Sequence, residues 1–153
     1  MHDQPIRADG YTRVRATPEA ARAAILDPAV LARIIPGVER VVRAPDGTFI
    51  ATLALGVGAF RGRQTVALHV DEETRQGLAV SGRAAGPFGT GQATGHLELL
   101  PEGCGGTLVR WAYDGIVRGP VTLAGSRLLR LAAAAFAGRV FAQLRRALER
   151  RPE

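Results

Sequence analysis

The sequence is poor in residues that carry specialised chemistry. Among 153 residues it has one cysteine, one tryptophan, two tyrosines and no lysine. Cys104 has no partner for an intramolecular disulfide, so nothing indicates an oxidising compartment. The N-terminus lacks a cationic segment followed by an apolar one, and the apolar run Leu131–Ala137 is far shorter than the roughly 18 residues that a membrane span needs. We therefore expect a soluble, cytoplasmic protein with one domain over residues 1–153.

The three histidines do not indicate catalysis. His2 lies near the terminus, while His69 and His96 fall on the polar faces of predicted strands, so none faces a carboxylate as acid–base or triad chemistry would require. Cys104 has no neighbouring histidine to activate its thiol. No Cys, His, Asp or Glu set has the spacing of metal ligands. We predict no catalytic residue, no metal and no other cofactor.

A glycine-rich segment, residues 86–95, could suggest a nucleotide-binding loop. It lacks the G-x-G-x-x-G spacing, and the pattern after it is that of a strand, not of a helix whose N-terminus could hold phosphate. We interpret it as a thinly side-chained strand in which Gly91, Ala93 and Gly95 share one face. Such a strand leaves space beneath a sheet.

The first part of the chain predicts a strand and two short helices. Weak alternation predicts a strand over Ile6–Arg15, and Thr17-Pro18-Glu19 is typical of the start of a helix, here Pro18–Leu26. Asp27-Pro28 and Pro36-Gly37 bracket a second helix, Ala29–Ile35. A helix of barely two turns is marginal in water, so we expect its apolar face to pack against another surface and to form a movable wall at a cavity mouth.

The rest of the chain predicts six further strands and one long helix. Apolar residues alternate with period two, and we expect strands over Val38–Arg43, about 49–57, about 60–70 with a turn at Asp71–Thr74, around Leu78 and Val80, over Gly89–Leu100, and about 109–118. After Gly119-Pro120 the period becomes 3.6. Strands grouped together, with helices to one side, predict an α+β protein.

The long helix has an apolar arc and a basic one. The apolar arc consists of Leu129, Ala133, Phe136, Ala137, Val140, Phe141, Leu144 and Leu148. The last 36 residues hold eight arginines and two glutamates, which accounts for the whole net charge of +6. This basic face is either a solvated helix surface or a contact surface for a membrane or partner. It consists of Arg127, Arg130, Arg139, Arg145, Arg146 and Arg150.

The apolar face of the sheet and that of the long helix form either an ordinary core or a ligand cavity. The small-residue strand and the short bracketed helix favour a cavity. Trp111 and Tyr113 combine an apolar ring with a polar tip, and Gln64 could orient a polar group of a ligand. The candidate lining residues are Leu31, Ile34, Ile35, Phe49, Leu53, Phe60, Gln64, Val66, Leu78, Val80, Ala93, Trp111, Tyr113, Leu129, Phe136 and Val140.

Several short motifs occur in an order that resembles a known family. They are Asp27-Pro28, Ile35-Pro36-Gly37-Val38, Gly56-Val57-Gly58, Gly91-Gln92-Ala93-Thr94-Gly95, Gly106-Thr107, Gly119 and Gly125-Ser126-Arg127-Leu128-Leu129. The set resembles the helix-grip fold of the START and polyketide cyclase superfamily, and within it the G-subunit family of carbon monoxide dehydrogenase. The resemblance implies a curved seven-stranded antiparallel sheet around a long C-terminal helix, with an apolar cavity between them.

The resemblance also implies an accessory protein of molybdenum-containing hydroxylases that is linked to membrane recruitment. Many relatives continue past the long helix into an apolar tail, whereas this sequence stops at Glu153. We therefore expect only a weaker electrostatic attachment, peripheral at the inner face of the cell membrane, to which each arginine would contribute roughly 1 kcal/mol.

Three functions remain open from the sequence. The first is a non-enzymatic protein that binds a lipid- or quinone-like ligand and serves a molybdenum hydroxylase by membrane recruitment or in electron transfer. The second is a small cyclase or dehydratase that uses Tyr113 as a proton donor. The third is nucleic-acid binding through the C-terminal arginines, which the lack of interleaved exposed aromatics disfavours.

Overall fold

A computed structural model describes residues 3–57, 59–87 and 89–149. The strands are β1 Gln4–Val14, β2 Val38–Arg43, β3 Phe49–Val57, β4 Phe60–Thr74, β5 Gly77–Gly86, β6 Gly89–Glu102 and β7 Gly106–Arg118. The helices are α1 Pro18–Ile25, α2 Pro28–Ile34, a 3-10 helix Pro120–Ala124, and α3 Ser126–Glu149. None of the helices in these ranges is long and apolar enough to cross a membrane.

The strands form one antiparallel sheet in the order β1-β7-β6-β5-β4-β3-β2. From β2 to β7, strands that follow one another in the chain are also neighbours in the sheet. The first strand, β1, pairs with the last, β7, and forms the edge opposite β2. The predicted α+β class, with seven antiparallel strands, two short helices after the first strand and a long C-terminal helix, is confirmed. Local sequence accounts for both short helices, because Thr17 and Asp27 accept hydrogen bonds from the amides of Ala20 and Ala29.

Apart from shifts of one or two residues at the ends of other elements, the structure differs from the prediction in three details. β1 covers Gln4–Val14 rather than Ile6–Arg15. β4 continues through the predicted turn at Asp71–Thr74, because a register shift after Val70 lets this acidic stretch keep pairing with β5 although its alternation is broken. The residues after Gly119 form a separate 3-10 helix before α3 begins at Ser126.

The core lies at one end of the molecule. The two clusters of buried side chains are Val14, Ala21, Leu99 and Val109, and Leu31, Ile34, Phe49 and Leu144. Phe141 and Leu148, in the C-terminal half of α3, pack against both clusters. We call this the closed end; it also contains the links β2–β3, β4–β5 and β6–β7.

The opposite end contains the links β3–β4 and β5–β6, the 3-10 helix and the start of α3, and we call it the open end. Between the sheet and the N-terminal half of α3, most inward side chains are only partly buried, although Leu53 and Leu129 are buried. We call this space the trough. Its lining residues are Gln64, Val66, Val80, Ala84, Gly91, Ala93, Tyr113 and Gly115 from the sheet, and Ala133, Phe136, Ala137 and Val140 from α3.

Candidate functional site

Small residues line the trough because of strand register. Ala93 of β6 pairs with Gly82 of β5 and with Gly115 of β7, while Gly91 pairs with Ala84. The face of small residues predicted for β6 therefore continues onto both neighbouring strands. A β-carbon at Gly91 would meet only ordinary contacts, the nearest at 3.7 Å. The inner face of these strands has room for a larger group.

Tyr113 places a polar group among these apolar residues. Its hydroxyl is buried and has no hydrogen-bond partner within the described chain. Burial raises the pKa of this phenol above its ordinary value of 10.0. Leaving such a group unpaired costs about 1–3 kcal/mol, so a ligand atom that bonds it would recover that free energy.

Gln64 provides a second polar group on the same face. Its side-chain amide lies over Gly86, where any β-carbon would collide with it. Gln64 pairs with Leu53 of β3, and its side chain is partly buried. The amide carries both a donor and an acceptor, so it can orient a polar group of a ligand.

Trp111 marks the boundary between the trough and the core. Its indole stacks on the Phe141 ring of α3 with centroids 4.0 Å apart and planes 9° apart. On the other side the indole occupies the position above Gly10, where a β-carbon would collide with the ring. Phe141 was predicted on the apolar arc of the long helix but not as a lining residue, and Gly10 was not predicted at all, since the contact among Gly10, Trp111 and Phe141 depends on pairing between β1 and β7.

The sequence-predicted lining residues divide into two groups. Ten are partly buried: Ile35, Phe60, Gln64, Val66, Val80, Ala93, Trp111, Tyr113, Phe136 and Val140. Six are buried at 8% exposure or less: Leu31, Ile34, Phe49, Leu53, Leu78 and Leu129. Of these, Leu31, Ile34 and Phe49 pack with Leu144 in the core, so α2 leans on the closed end. Contact of any of the sixteen with a ligand remains a prediction.

Among the residues that the structure describes, Tyr113 is the only ionisable group in the trough. His69 and His96 are exposed on the outer face of the sheet. Across the described ranges, no three His, Cys, Asp or Glu side chains come together in a way that could hold a metal ion. The arrangement can therefore enclose an apolar body and bond one or two polar atoms of it.

The outer surfaces carry the remaining charged groups. Two open grooves of about 520 and 650 Å³ lie on the outer face of the sheet, and their polar rims include Arg83 and Arg118 in one, and Asp9 and Glu72 in the other. On α3 the predicted basic face is exposed at Arg127, Arg130, Arg139, Arg145 and Arg146, whereas Arg150 lies outside the described residues.

The fold defines the class of the protein. It is similar to a conserved protein from Geobacillus kaustophilus, with 22% identity, a TM-score of 0.85, and coverage of 94% of this chain and 95% of that one. It is also similar to the Zhui aromatase/cyclase from Streptomyces sp. R1128, with 16% identity, a TM-score of 0.72, and coverage of 96% of this chain and 95% of that one. A START superfamily protein from Mycobacterium smegmatis is similar too, with 15% identity, a TM-score of 0.68, and coverage of 94% of this chain and 97% of that one. The chain has the helix-grip fold of START-like proteins.

The sequence assigns the chain to a family within that class. Residues 10–149 match the family of the carbon monoxide dehydrogenase G subunit (CoxG), and the chain belongs to that family. A search of curated proteins found no match. The family and fold expected from the ordered motifs are confirmed.

Proposed function

We propose that this protein binds an apolar ligand, of lipid or quinone-like chemistry, in the trough between the sheet and α3. The single observation that carries the proposal is the buried Tyr113 hydroxyl, which has no partner in the described chain and lies among partly buried apolar and small residues. A ligand with an apolar body and a carbonyl or hydroxyl oxygen would fill the space and pair with this group.

The contrast between the core and the trough supports ligand binding over mere packing. At the closed end, core side chains such as Leu144 and Val109 are completely buried. In the trough, Val66, Val80 and Phe136 face inward yet keep contact with solvent. Apolar surface of this kind is stabilised when a ligand covers it, by roughly 25 cal/mol for each Å² removed from water.

The protein would act without catalysis, as an accessory to a molybdenum-containing hydroxylase of the carbon monoxide dehydrogenase type, in membrane recruitment or electron transfer. Membership of the CoxG family supports this partner class. Recovery of a large molybdenum hydroxylase subunit with the tagged protein from native cells is the expected result. Repeated pull-downs that contain no such subunit would contradict the accessory role.

A cyclase or dehydratase activity is the second candidate function, because the Tyr113 hydroxyl is free to donate a proton. Such chemistry needs another ionisable group near the reacting atoms. The described trough residues supply only Gln64 as a further polar side chain, and an amide does not exchange protons at neutral pH. Binding is therefore the better-supported function.

The ligand can be tested by extracting freshly purified protein with organic solvent and analysing the extract by mass spectrometry. We expect one apolar species at a reproducible ratio to protein. Gly91→Leu should lower that ratio because the new side chain fills the trough. Gly138→Leu is the matched control, since its side chain would project from α3 where nothing in the described chain lies within 4 Å. Protein that is repeatedly empty would overturn the proposal.

A further inference from the structure

The outer face of the sheet carries unpaired charges of opposite sign in two separate places. Arg83 of β5 is exposed in the smaller outer groove, and Asp9 of β1 and Glu72 of β4 are exposed in the larger one. None of the three forms an ion pair with any residue that the structure describes. Between the grooves the charges are paired, as Arg7 is with Asp114. The unpaired positive and negative groups are therefore available to a partner.

Strand pairing arranges these side chains in three parallel rows across the sheet. The middle row runs over β4, β5, β6, β7 and β1 as His69, Ser81, Thr94, Asp114 and Arg7. Toward the open end lies what we call the basic row, which consists of Ala67, Arg83, Gln92, Ile116 and Pro5. Toward the closed end lies the acidic row, which consists of Glu72, Ala79, His96, Ala112 and Asp9. Each of these two rows is about 7 Å from the middle row, the length of two residues of a strand.

The middle row satisfies its polar groups within the chain. The Arg7 guanidinium lies 3.3 Å from a carboxylate oxygen of Asp114, and the Ser81 hydroxyl donates to Asp71 at 3.0 Å. Asp71 is the extra residue of the bulge in β4, and Glu72 follows it into the acidic row. The outer face therefore has a neutral stripe with a positive row on one side and a negative row on the other.

A two-fold rotation about the middle row places the basic row of one copy over the acidic row of another. Because this axis runs across the strands, each strand meets its own counterpart and the two outer rows exchange places. On β5 the long side chain of Arg83 then faces Ala79, and on β7 the side chain of Ile116 faces Ala112. Large side chains thus enter the space above small ones, so the face is complementary to itself in size as well as in charge.

We infer that two copies of this chain associate through the outer faces of their sheets, with the two-fold axis along the middle row. Glu72 lies on the strand next to Ala79, about 5 Å to one side, so it is within reach of the Arg83 guanidinium of the other copy. By symmetry this ion pair forms twice. The inference does not depend on the proposed function, since α3 and the trough lie on the opposite face of each sheet.

The size of the contact predicts a reversible dimer. Five strands over about five rows cover roughly 500 Å² of each copy. That area is at the low end for a specific complex. We therefore expect monomer and dimer to exchange on dilution.

Sedimentation velocity of the full chain over a wide range of concentration is the first test. We expect the sedimentation coefficient to rise with concentration from that of a 16.2 kDa monomer toward that of a dimer. Arg83→Glu and Glu72→Arg should each weaken the dimer on the order of tenfold or more, because each places like charges opposite one another. Arg139→Glu on α3 and Glu19→Arg on α1 are the matched controls, and they should associate like the original chain.

Mixing the two single variants tests the pairing itself. In a mixed dimer the new acid at position 83 faces the new base at position 72, while the retained Arg83 and Glu72 face each other. The mixture should therefore form dimers at concentrations where each variant alone is monomeric. Pairing within one chain cannot produce this result, because positions 72 and 83 lie two rows apart, about 14 Å.

Three results would overturn the inference. The first is an original chain that stays monomeric at every concentration. The second is a mixture that associates no better than its components. The third is self-association that survives Arg83→Glu and is lost with Leu131→Ser, at a residue that is 61% exposed on α3. Circular dichroism establishes that each variant is folded, and Arg83→Gln replaces Arg83→Glu if the charge reversal unfolds the chain.

Discussion

The indole of Trp111 and the ring of Phe141 stack at 4.0 Å between centroids and join β7 to the C-terminal half of α3. Phe141 also packs against both buried clusters, so one side chain links the core to the wall of the trough. This contact therefore helps to hold α3 over the sheet. Stacked aromatic pairs contribute about 0.5–1.5 kcal/mol beyond their area burial.

Phe141→Ala should lower the free energy of unfolding by about 3 kcal/mol, because it removes the stacked ring and leaves a cavity between the two clusters. Urea denaturation followed by circular dichroism measures the change. Leu131→Ala, at a residue of the same helix that is 61% exposed, should change stability by less than about 0.5 kcal/mol. Equal effects of the two substitutions would show that the stack does not fix the helix.

Gly10→Ala and Gly138→Ala should change stability in opposite directions. At Gly10 the added methyl collides with the Trp111 ring, and we expect a loss of about 1–3 kcal/mol. At Gly138 the methyl meets nothing in the described chain within 4 Å and improves helix propensity, so a gain of about 0.5–1 kcal/mol is expected. Thermal or urea unfolding of both variants checks the signs. A stable Gly10→Ala variant would mean that the indole can move away at little cost.

Local patterns predicted the elements well because each depends on neighbouring residues. Alternation along β3 and β7, the prolines around α2 and the arc of Leu129, Phe136 and Leu144 all reflect a period within one segment. The same patterns identified Tyr113 and Gln64 as polar groups on an inner face. The structure places both there.

Features that depend on distant pairing could not be predicted. The bulge after Val70 carries β4 past an acidic stretch that looks like a turn. The role of Gly10 follows from its pairing with Trp111, about a hundred residues away. The division between core and trough also has no local signature, because Leu31 and Val66 are equally apolar and only the packing of α3 at one end distinguishes them.

Arg22 connects α1 by hydrogen bonds to the link between β4 and β5. Its guanidinium donates to the carbonyls of Thr74, Arg75 and Gly77 and to the carboxylate of Glu73, at 2.6 to 3.3 Å. Arg22→Ala should therefore cost about 1–3 kcal/mol, and Arg22→Lys should restore only part of it because an ammonium cannot reach the same fork of acceptors. Amide exchange at residues 74–77 should accelerate in both variants.

The control for Arg22 is the exposed pair of Arg63 with Glu39. Although the two form two hydrogen bonds at 2.8 and 3.1 Å, the Arg63 side chain is 75% exposed, and solvent screens the pair. Arg63→Ala should have a much smaller effect than Arg22→Ala. A comparable loss from both would indicate that the carbonyl acceptors add little at Arg22.

Tyr113→Phe should leave the protein as stable as before, or more stable by about 1 kcal/mol, because it removes a buried hydroxyl that has no partner in the described chain. Alkaline pH adds a second readout. Burial raises the folded-state pKa of Tyr113 above 10.0, so in the folded protein the phenol keeps a proton that the unfolded chain has lost. The stability that depends on this protonated phenol is therefore fully present below pH 10 and is lost as pH rises toward the folded-state pKa of Tyr113. The phenylalanine variant should lack that loss.

Urea unfolding at neutral and alkaline pH measures both effects, with Tyr11→Phe, at a residue that is 62% exposed, as the control. Solvent extraction of the same Tyr113→Phe preparation should yield less of the apolar species than the original chain, since its polar atom loses a partner. A variant that is clearly destabilised at neutral pH and retains its ligand in full would show that the hydroxyl bonds a group of the protein rather than the ligand. The trough would then recognise its ligand by shape alone.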